Sequence, residues 1–353
     1  MDAPAPENGL APRDWLSGLP PVYAGGEREA ARHHGFLLQR CFDGADMRWS
    51  DALVARTRRQ MGGCIAAVET ALRLELGSMA PDLVLPSAAI AWAKVQHRPA
   101  LLPPALITCL RDRAAIGLMA QDHALGDGPA AERAYNLAHF PASVSPYLAA
   151  LAQGQAAWAD TGPDDAPVRA DLPAEAYADL IWTVAALLAE ALVAGGRHPG
   201  LFHALDRASA ALLARHDEQS MPFAQAALLA HQLRGAGVSD DHLLTLSRQR
   251  QLLALFAIAA DRLGAELPCL VAYAVEADEQ ALFALCRAVE FPREVAVRLV
   301  LGRRCVARGV DDSVLVTYSD GYDGMPLSAA REAVAALGLA RPLRAALARL
   351  RDH

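Results

Sequence analysis

Apolar residues come round at intervals of three and four along most of this chain, a period that predicts helices nearly throughout. From Ser50 to Leu76 the positions Leu53, Val54, Thr57, Met61, Cys64, Ile65, Val68, Ala71 and Leu72 fall on one stripe, and Ser50 is placed to cap the first turn. Gly62 and Gly63 sit inside that stripe, where each costs about 1 kcal/mol relative to alanine. Close approach of another helix, or a kink, is the expected reason for keeping them. A second helix is predicted over Asp171 to Gly195, with Asp171 as cap, Pro173 in the first turn and Gly195 ending it left-handed. Its stripe is Tyr177, Leu180, Ile181, Val184, Leu187, Leu188, Ala191 and Leu192. Trp182 falls off the stripe; a second buried face accounts for it in a multilayer helical protein, and an exposed anchor for a partner is the other reading.

The same spacing predicts helices over Pro104 to His123, Ala130 to Leu137, around Ser87 to Val95 and over Ser145 to Ala157. The best strand-like alternation, Val314 to Tyr318, is brief and follows Asp311-Asp312, which read as the acidic start of a helix. The fold class is therefore all-α, built of antiparallel helical hairpins. Pro4, Pro6, Pro12, Pro20 and Pro21 make residues 1–26 a flexible tail in this reading, with neither the basic start nor the apolar core of a signal peptide. Gly162, Pro163, Asp164, Asp165 and Pro167 break helices and solvate well, which places a linker at 159–172. An N-terminal helical bundle then occupies 27–158 and a helical-repeat unit 173–353.

Within that second unit, Leu253-Ala254-Leu255 matches Phe283-Ala284-Leu285, and Leu263, Glu266, Leu267, Cys269 and Val271 match Phe291, Glu294, Val295, Val297 and Leu299. Val238, Asp241 and His242 echo part of the unit once more. A period of about 30 residues shared by two helices is the size of an α-solenoid repeat, in which neither helix buries its apolar side without the next pair. The run Leu172-Pro173-Ala174-Glu175, the stretch Leu180 to Ala186, the Leu285 to Leu301 helix pair and the closing segment Pro326 to Leu350 resemble bacterial proteins of the domain of unknown function 2336 family. The resemblance covers the second half of the chain and, loosely, the Ser50 to Leu76 helix. It implies an all-helical, HEAT-like fold and supplies no catalytic residues.

Composition narrows the functional classes. With 53% apolar and 21% charged residues, the 353-residue chain has enough surface to bury against the entropy of ordering, which excludes a disordered polymer. Its net charge of -7 disfavours general nucleic-acid binding. The excess is uneven: from Ala281 onward 11 Arg face 8 Asp and Glu, a local net of +3. Cys41, Cys64, Cys109, Cys269, Cys286 and Cys305 show no pairing pattern and suit reduced thiols in the cytoplasm. The most apolar stretch, Leu180 to Val193, is interrupted by Glu190 and falls short of the roughly 20 residues a membrane crossing needs, so no membrane association is expected.

Candidate chemistry is sparse. No two of the 11 histidines stand one helical turn apart, and there is no Cys-x-x-Cys, so neither a metal nor a cofactor is expected. The pairs Gly25-Gly26, Gly62-Gly63 and Gly195-Gly196 lack the rest of a nucleotide loop. In Ser319-Asp320-Gly321-Tyr322-Asp323-Gly324-Met325, Tyr322 occupies a position that a calcium loop needs for oxygen, and a turn between helices is preferred. His216-Asp217-Glu218 reads as a solvated helix end and Asp240-Asp241 as capping beside Ser239. What remains is basic: Arg298, Arg303, Arg304 and Arg308, with Arg341, Arg344, Arg349 and Arg351 on the last helix, could grip carboxylates or phosphates of a partner or simply form a solvated face. The expected function is a non-enzymatic helical-repeat scaffold or regulator that binds a protein partner, with Arg298, Arg303, Arg304, Arg308 and Trp182 as its candidate surface, and with homo-oligomerisation as a further mode. The alternatives are an enzyme or small-ligand sensor with a pocket between the helical halves, and nucleic-acid binding by the C-terminal arginines.

Overall fold

The computed structural model describes residues 34–43, 49–121 apart from 82, 84, 86 and 87, 140–159, 162–195, 200–308, and 312–347 apart from 341 and 345. The Ala130 to Leu137 helix and the residue 1–26 tail lie outside the described residues. Among the described residues there is no β-strand, only one antiparallel bridge between Trp49 and Ala307.

The longest helix, α1 (Asp51–Met79), organises the N-terminal half. Ser50 caps it as its sequence predicts, its side chain accepting from Leu53 N at 3.1 Å. Around α1 pack α2 (Ala91–His97), α3 (Pro104–Gln121), α5 (Ala174–Gly195) and α6 (Leu201–Ala214), while α4 (Ser145–Trp158) joins α3 to α7 (Pro222–Ala236). Next come α8 (Asp240–Arg248), α9 (Leu252–Leu263), α10 (Leu267–Glu276), α11 (Glu279–Ala288), α12 (Arg293–Gly302), α13 (Asp312–Gly321) and α14 (Leu327–Ala333). Of the acidic start read at Asp311-Asp312, Asp312 opens α13, and Asp311 lies outside the described residues.

Two sequence expectations change here. The glycine pair admits more than the approaching helix, whose Trp92 closes on Gly62. It also admits the backbone of residues 162–168, with Val168 N donating to Gly63 O at 3.0 Å and Arg59 Nη1 to Ala166 O at 2.5 Å. Residues 162–172, expected to be solvated, are thereby strapped along α1 with 163, 165, 167 and 169 still exposed, and Asp171 and Leu172 at the end are buried. Asp171 accordingly does not cap α5. That helix begins at Ala174, with Tyr177 N donating to Pro173 O, and Asp171 instead lies 2.7 Å from Arg169 Nε.

The two halves share one buried apolar cluster running from Leu37 to Leu337, and α3 packs directly on α9 and α10. A second tie joins the start of α1 to the segment after α12: Ser50 N donates to Val306 O at 3.0 Å, Ser50 Oγ to Cys305 O at 2.5 Å, and Arg308 pairs with Asp51. The helices matched by sequence are α9 and α10 and, next along the chain, α11 and α12; α9 packs on α10 and α11 on α12. Backbone geometry marks another spacing as well. Both α8 and α11 end on a left-handed residue, Arg250 and Glu290 at φ 56°, and in both the next amide reaches back to close the turn, Gln251 N to Leu246 O and Phe291 N to Cys286 O, each at 2.9 Å.

Candidate functional site

The site is built on the outer face of α5. α2 has no cap of its own; the buried Glu69 of α1 supplies one, accepting from Ile90 N at 3.0 Å and Ala91 N at 2.9 Å while Arg73 holds the carboxylate. So fixed, α2 sends Lys94 to Glu190 of α5 at 2.5 Å, and Arg98 joins the same carboxylate through Nη2 at 2.6 Å and Nη1 at 3.0 Å. The hydrogen bonds from Arg98 and then Lys94 hold the Glu190 carboxyl down at about 2. On the other flank, a turn at Gly200, whose φ of 80° requires glycine, starts α6 and leaves Phe202 outside its buried stripe of Leu201, Leu205, Ala208 and Leu212.

Trp182 is 43% exposed, so the second buried face that multilayer packing predicts is absent. The indole stands on a ridge with Ala186 and Glu190 between two open depressions. One, of about 550 Å³, reaches Val193, Phe202, Leu205 and Asp206; the other, of about 470 Å³, reaches Arg98, Leu101 and Thr183. Leu101, Trp182, Val193 and Phe202 are four of the eight large apolar side chains exposed among the described residues, so the exposure is concentrated rather than scattered. Over Ala174–Ala194 α5 is, by length and composition, long and apolar enough to cross a membrane, which corrects the sequence estimate that it is too short; 44% of that window is buried against its neighbours.

The arginines singled out by sequence are engaged within the chain. Arg298 pairs with Glu294 at 3.3 Å, Arg303 with Glu279 at 2.9 Å, Arg304 with Asp312 and Arg308 with Asp51. Arg303 is buried, and burial lowers its pKa against the pull of Glu279 and Asp278. Arg344 is buried on Leu337 O and Leu339 O, and Arg341, Arg349 and Arg351 lie outside the described residues. Arg308 is exposed as well but paired with Asp51, which leaves Trp182 as the exposed member outside these ion pairs, and the sequence reading missed Leu101 and Phe202. Phe202 carried a signal, since it lies one position off the apolar period of α6.

A second constellation, also missed, is buried. Arg111 donates to Asp112 Oδ1 through Nε at 2.9 Å and Nη2 at 2.6 Å, pairs with Glu276 of α10, and lies 5.5 Å from the Trp49 ring centroid. Beside it Arg113 reaches Gln60 Oε1 at 2.9 Å and Arg169 O at 3.1 Å, and stacks over Trp158. Three consecutive charges inside an otherwise apolar helix are the signal: spaced 100° apart, they cannot all face water. No groove opens on them; they tie α3 to α10, α1 and the strap. Burial opposes the charge on Arg111, yet Asp112 and Glu276 keep its pKa raised, and a guanidinium stays charged at any accessible pH. Asp112 is the softer partner, pushed up by burial to about 7 against the pull of Arg111. Its folded pKa lies above the unfolded value of about 3.9, so the native state binds more protons and stability falls as pH rises between those values. We expect urea denaturation of the wild type to show that decline from about pH 4 to about pH 7, and Asp112→Asn to flatten it; an unchanged slope in the variant would refute the assignment.

His216 is a structural residue, its Nε2 3.0 Å from Leu172 O and its ring stacked on Tyr177 at 4.2 Å. Ser239 caps α8 in a reciprocal pair with His242, and Tyr322 is buried with its hydroxyl donating to Phe291 O at 2.7 Å, so that part of Ser319 to Met325 is a turn between helices. Among the described residues no three His, Cys, Asp or Glu side chains gather to hold a metal ion. The chain is an all-helical protein with an open apolar groove. Compared with family models, curated proteins and solved structures, it matches none.

Proposed function

We propose that this is a non-enzymatic helical scaffold or regulator that works in the cytoplasm by binding a protein partner in the groove around Trp182, and that its paired hairpins are a HEAT-like array of the kind found in the domain of unknown function 2336 family. The observation that carries the reading is the clustering of Leu101, Trp182, Val193 and Phe202 on one face. Exposed aromatics in an apolar pocket with a polar rim are the usual anchors of protein interfaces. The internal pairing of Arg298, Arg303, Arg304 and Arg308 argues against a phosphate-binding surface. The burial of Arg111 and Asp112 argues for a structural tie over a reaction centre.

The test is photo-crosslinking in cells from a benzophenone residue placed at Ala186, compared with one at the equally open Val316 on α13. A discrete adduct formed at 186, absent at 316 and lost in Trp182→Ala is the expected result. Because Trp182 is 43% exposed, that substitution removes only part of a tryptophan's burial, and it should cost about 1–2 kcal/mol and leave the protein folded. Identical adducts at both positions, or adducts that survive Trp182→Ala in a folded protein, would refute the groove as the site.

A further inference from the structure

We infer that the buried charge cluster is a proton-controlled latch between the two halves: with Asp112 neutral, Arg111 grips Glu276 and the halves are clamped, and loss of that proton frees Glu276 and loosens the clasp beside it. Three connections across the boundary converge on this one guanidinium. Arg111 of α3 pairs with Glu276, the last residue of α10. Its Cζ lies 5.5 Å from the Trp49 ring centroid, and Trp49 forms the antiparallel bridge with Ala307. Beside that bridge Ser50 donates to Val306 O and Cys305 O, while Arg303–Cys305 packs on α3. A change in what Arg111 holds is therefore passed to each of these ties, whereas the strap is held by Arg59 and Arg113 instead.

The charge count sets the direction. One cation stands between two carboxylates, with the Asp112 side chain 3% and the Glu276 side chain 25% exposed. Fully ionised, the cluster carries an excess negative charge away from water, a costly state, and one proton neutralises it. That proton belongs on Asp112, because Glu276 can turn to solvent and Asp112 cannot; burial accordingly drives Asp112 up to about 7 against the pull of Arg111. Once ionised, Asp112 keeps Arg111, whose Nε and Nη2 both already point at its Oδ1, and repels Glu276. Among the described residues no other group supplies the balancing cation. Arg113 is taken up by Gln60, Cys64 and Arg169 O, Arg56 donates to Gln121, Arg250 donates to Ala120 O, and Arg303 pairs with Glu279. The nearby thiols of Cys109 and Cys269 are pushed up by burial to about 12 and about 11, and so stay neutral. Glu69 of α1 is engaged by Arg73 and the first amides of α2, and the described buried side chains of α4, α5 and α9 carry no charge.

Hydrogen–deuterium exchange of the full chain, corrected for the base-catalysed intrinsic rate, tests this under native conditions. Between about pH 6 and about pH 8, amides in residues 49–54, 267–277 and 303–308 should exchange about tenfold faster, which is the rise in the ionised fraction of one group titrating near 7. Strap residues 162–172 should not change. Asp112→Asn keeps the carbonyl oxygen that Arg111 grips and should remain protected at both ends of the range. Glu276→Gln leaves one anion for one cation, so Asp112 ionises more readily and the midpoint should move below that of the wild type. Glu276 is partly exposed, so this variant keeps the test valid if Asp112→Asn does not fold. A wild type with no such pH dependence, a folded Asp112→Asn that keeps it, or a Glu276→Gln midpoint that stays in place would each overturn the inference. Strap exchange that accelerates in step with the clasp would overturn it as well, since it would report loss of the whole fold and not release of a latch.

Discussion

Gly62→Ala should destabilise the protein by about 2–3 kcal/mol, although the same change in an unobstructed helix interior stabilises by about 1 kcal/mol. A β-carbon built on Gly62 would run into the carbonyl oxygen of Asp164 and come within 2.9 Å of both that carbonyl carbon and Trp92 Cε2. Gly63 is equally closed, its β-carbon falling 2.6 Å from Val168 Cγ2 and 2.9 Å from Ala166 O. The obstacle is largely backbone, so relief requires lifting the whole strap. That would strain the Val168 to Gly63 hydrogen bond and the Arg59 to Ala166 bond along with it. Gly77, in the same helix, supplies the control: nothing lies within 4 Å of its β-position, and Gly77→Ala should raise stability by about 0.5–1 kcal/mol. Chemical denaturation of the two variants separates the effects by sign. If Gly62→Ala proves neutral or stabilising, the strap does not press on α1.

The glycine pair also shows where sequence reasoning stops. Periodicity located α1, α3, α4 and α5 to within a few residues because each helix carries its own apolar stripe, a local property. The cost of two glycines in a helix announced that something approaches them, but the partner lies about a hundred residues further along and has no period of its own. Composition marked residues 159–172 as a helix breaker and, with equal justice, as solvated; polar backbone bound by Arg59, Arg113 and Gln121 looks no different in a sequence from backbone bound by water. The groove was half visible for a similar reason. Trp182 stood out as a large residue off the stripe, but its exposure depends on what covers that face, and α2 and α6 stop short of it. The arginines misled in the opposite direction: each of Arg298, Arg303, Arg304 and Arg308 has a carboxylate partner, and although Glu294 stands one turn before Arg298, the other three partners, Glu279, Asp312 and Asp51, lie on other helices where spacing does not reveal them.

The buried charges make the sharpest demand on the fold. Arg111→Met removes the one cation shared by Asp112 and Glu276, and stranding a carboxylate that is almost wholly buried should cost about 3–5 kcal/mol at pH 8. Part of the loss also comes from the Trp49 face that the guanidinium covers. Glu276 is one-quarter exposed and can turn to water, so Asp112 carries most of the penalty. Arg111→Met combined with Asp112→Leu should therefore be more stable than Arg111→Met alone by at least about 2 kcal/mol, because a buried pair replaced by apolar side chains of similar size is often neutral. A double-mutant cycle by urea denaturation measures the coupling directly. Additive losses would mean that the two groups do not act as a unit. Strong coupling with a broadened, non-coincident transition would instead assign the cluster a second role, that of holding the α1 bundle and the C-terminal helices in one cooperative body, since α3 on α10 is one of the contacts through which those halves meet.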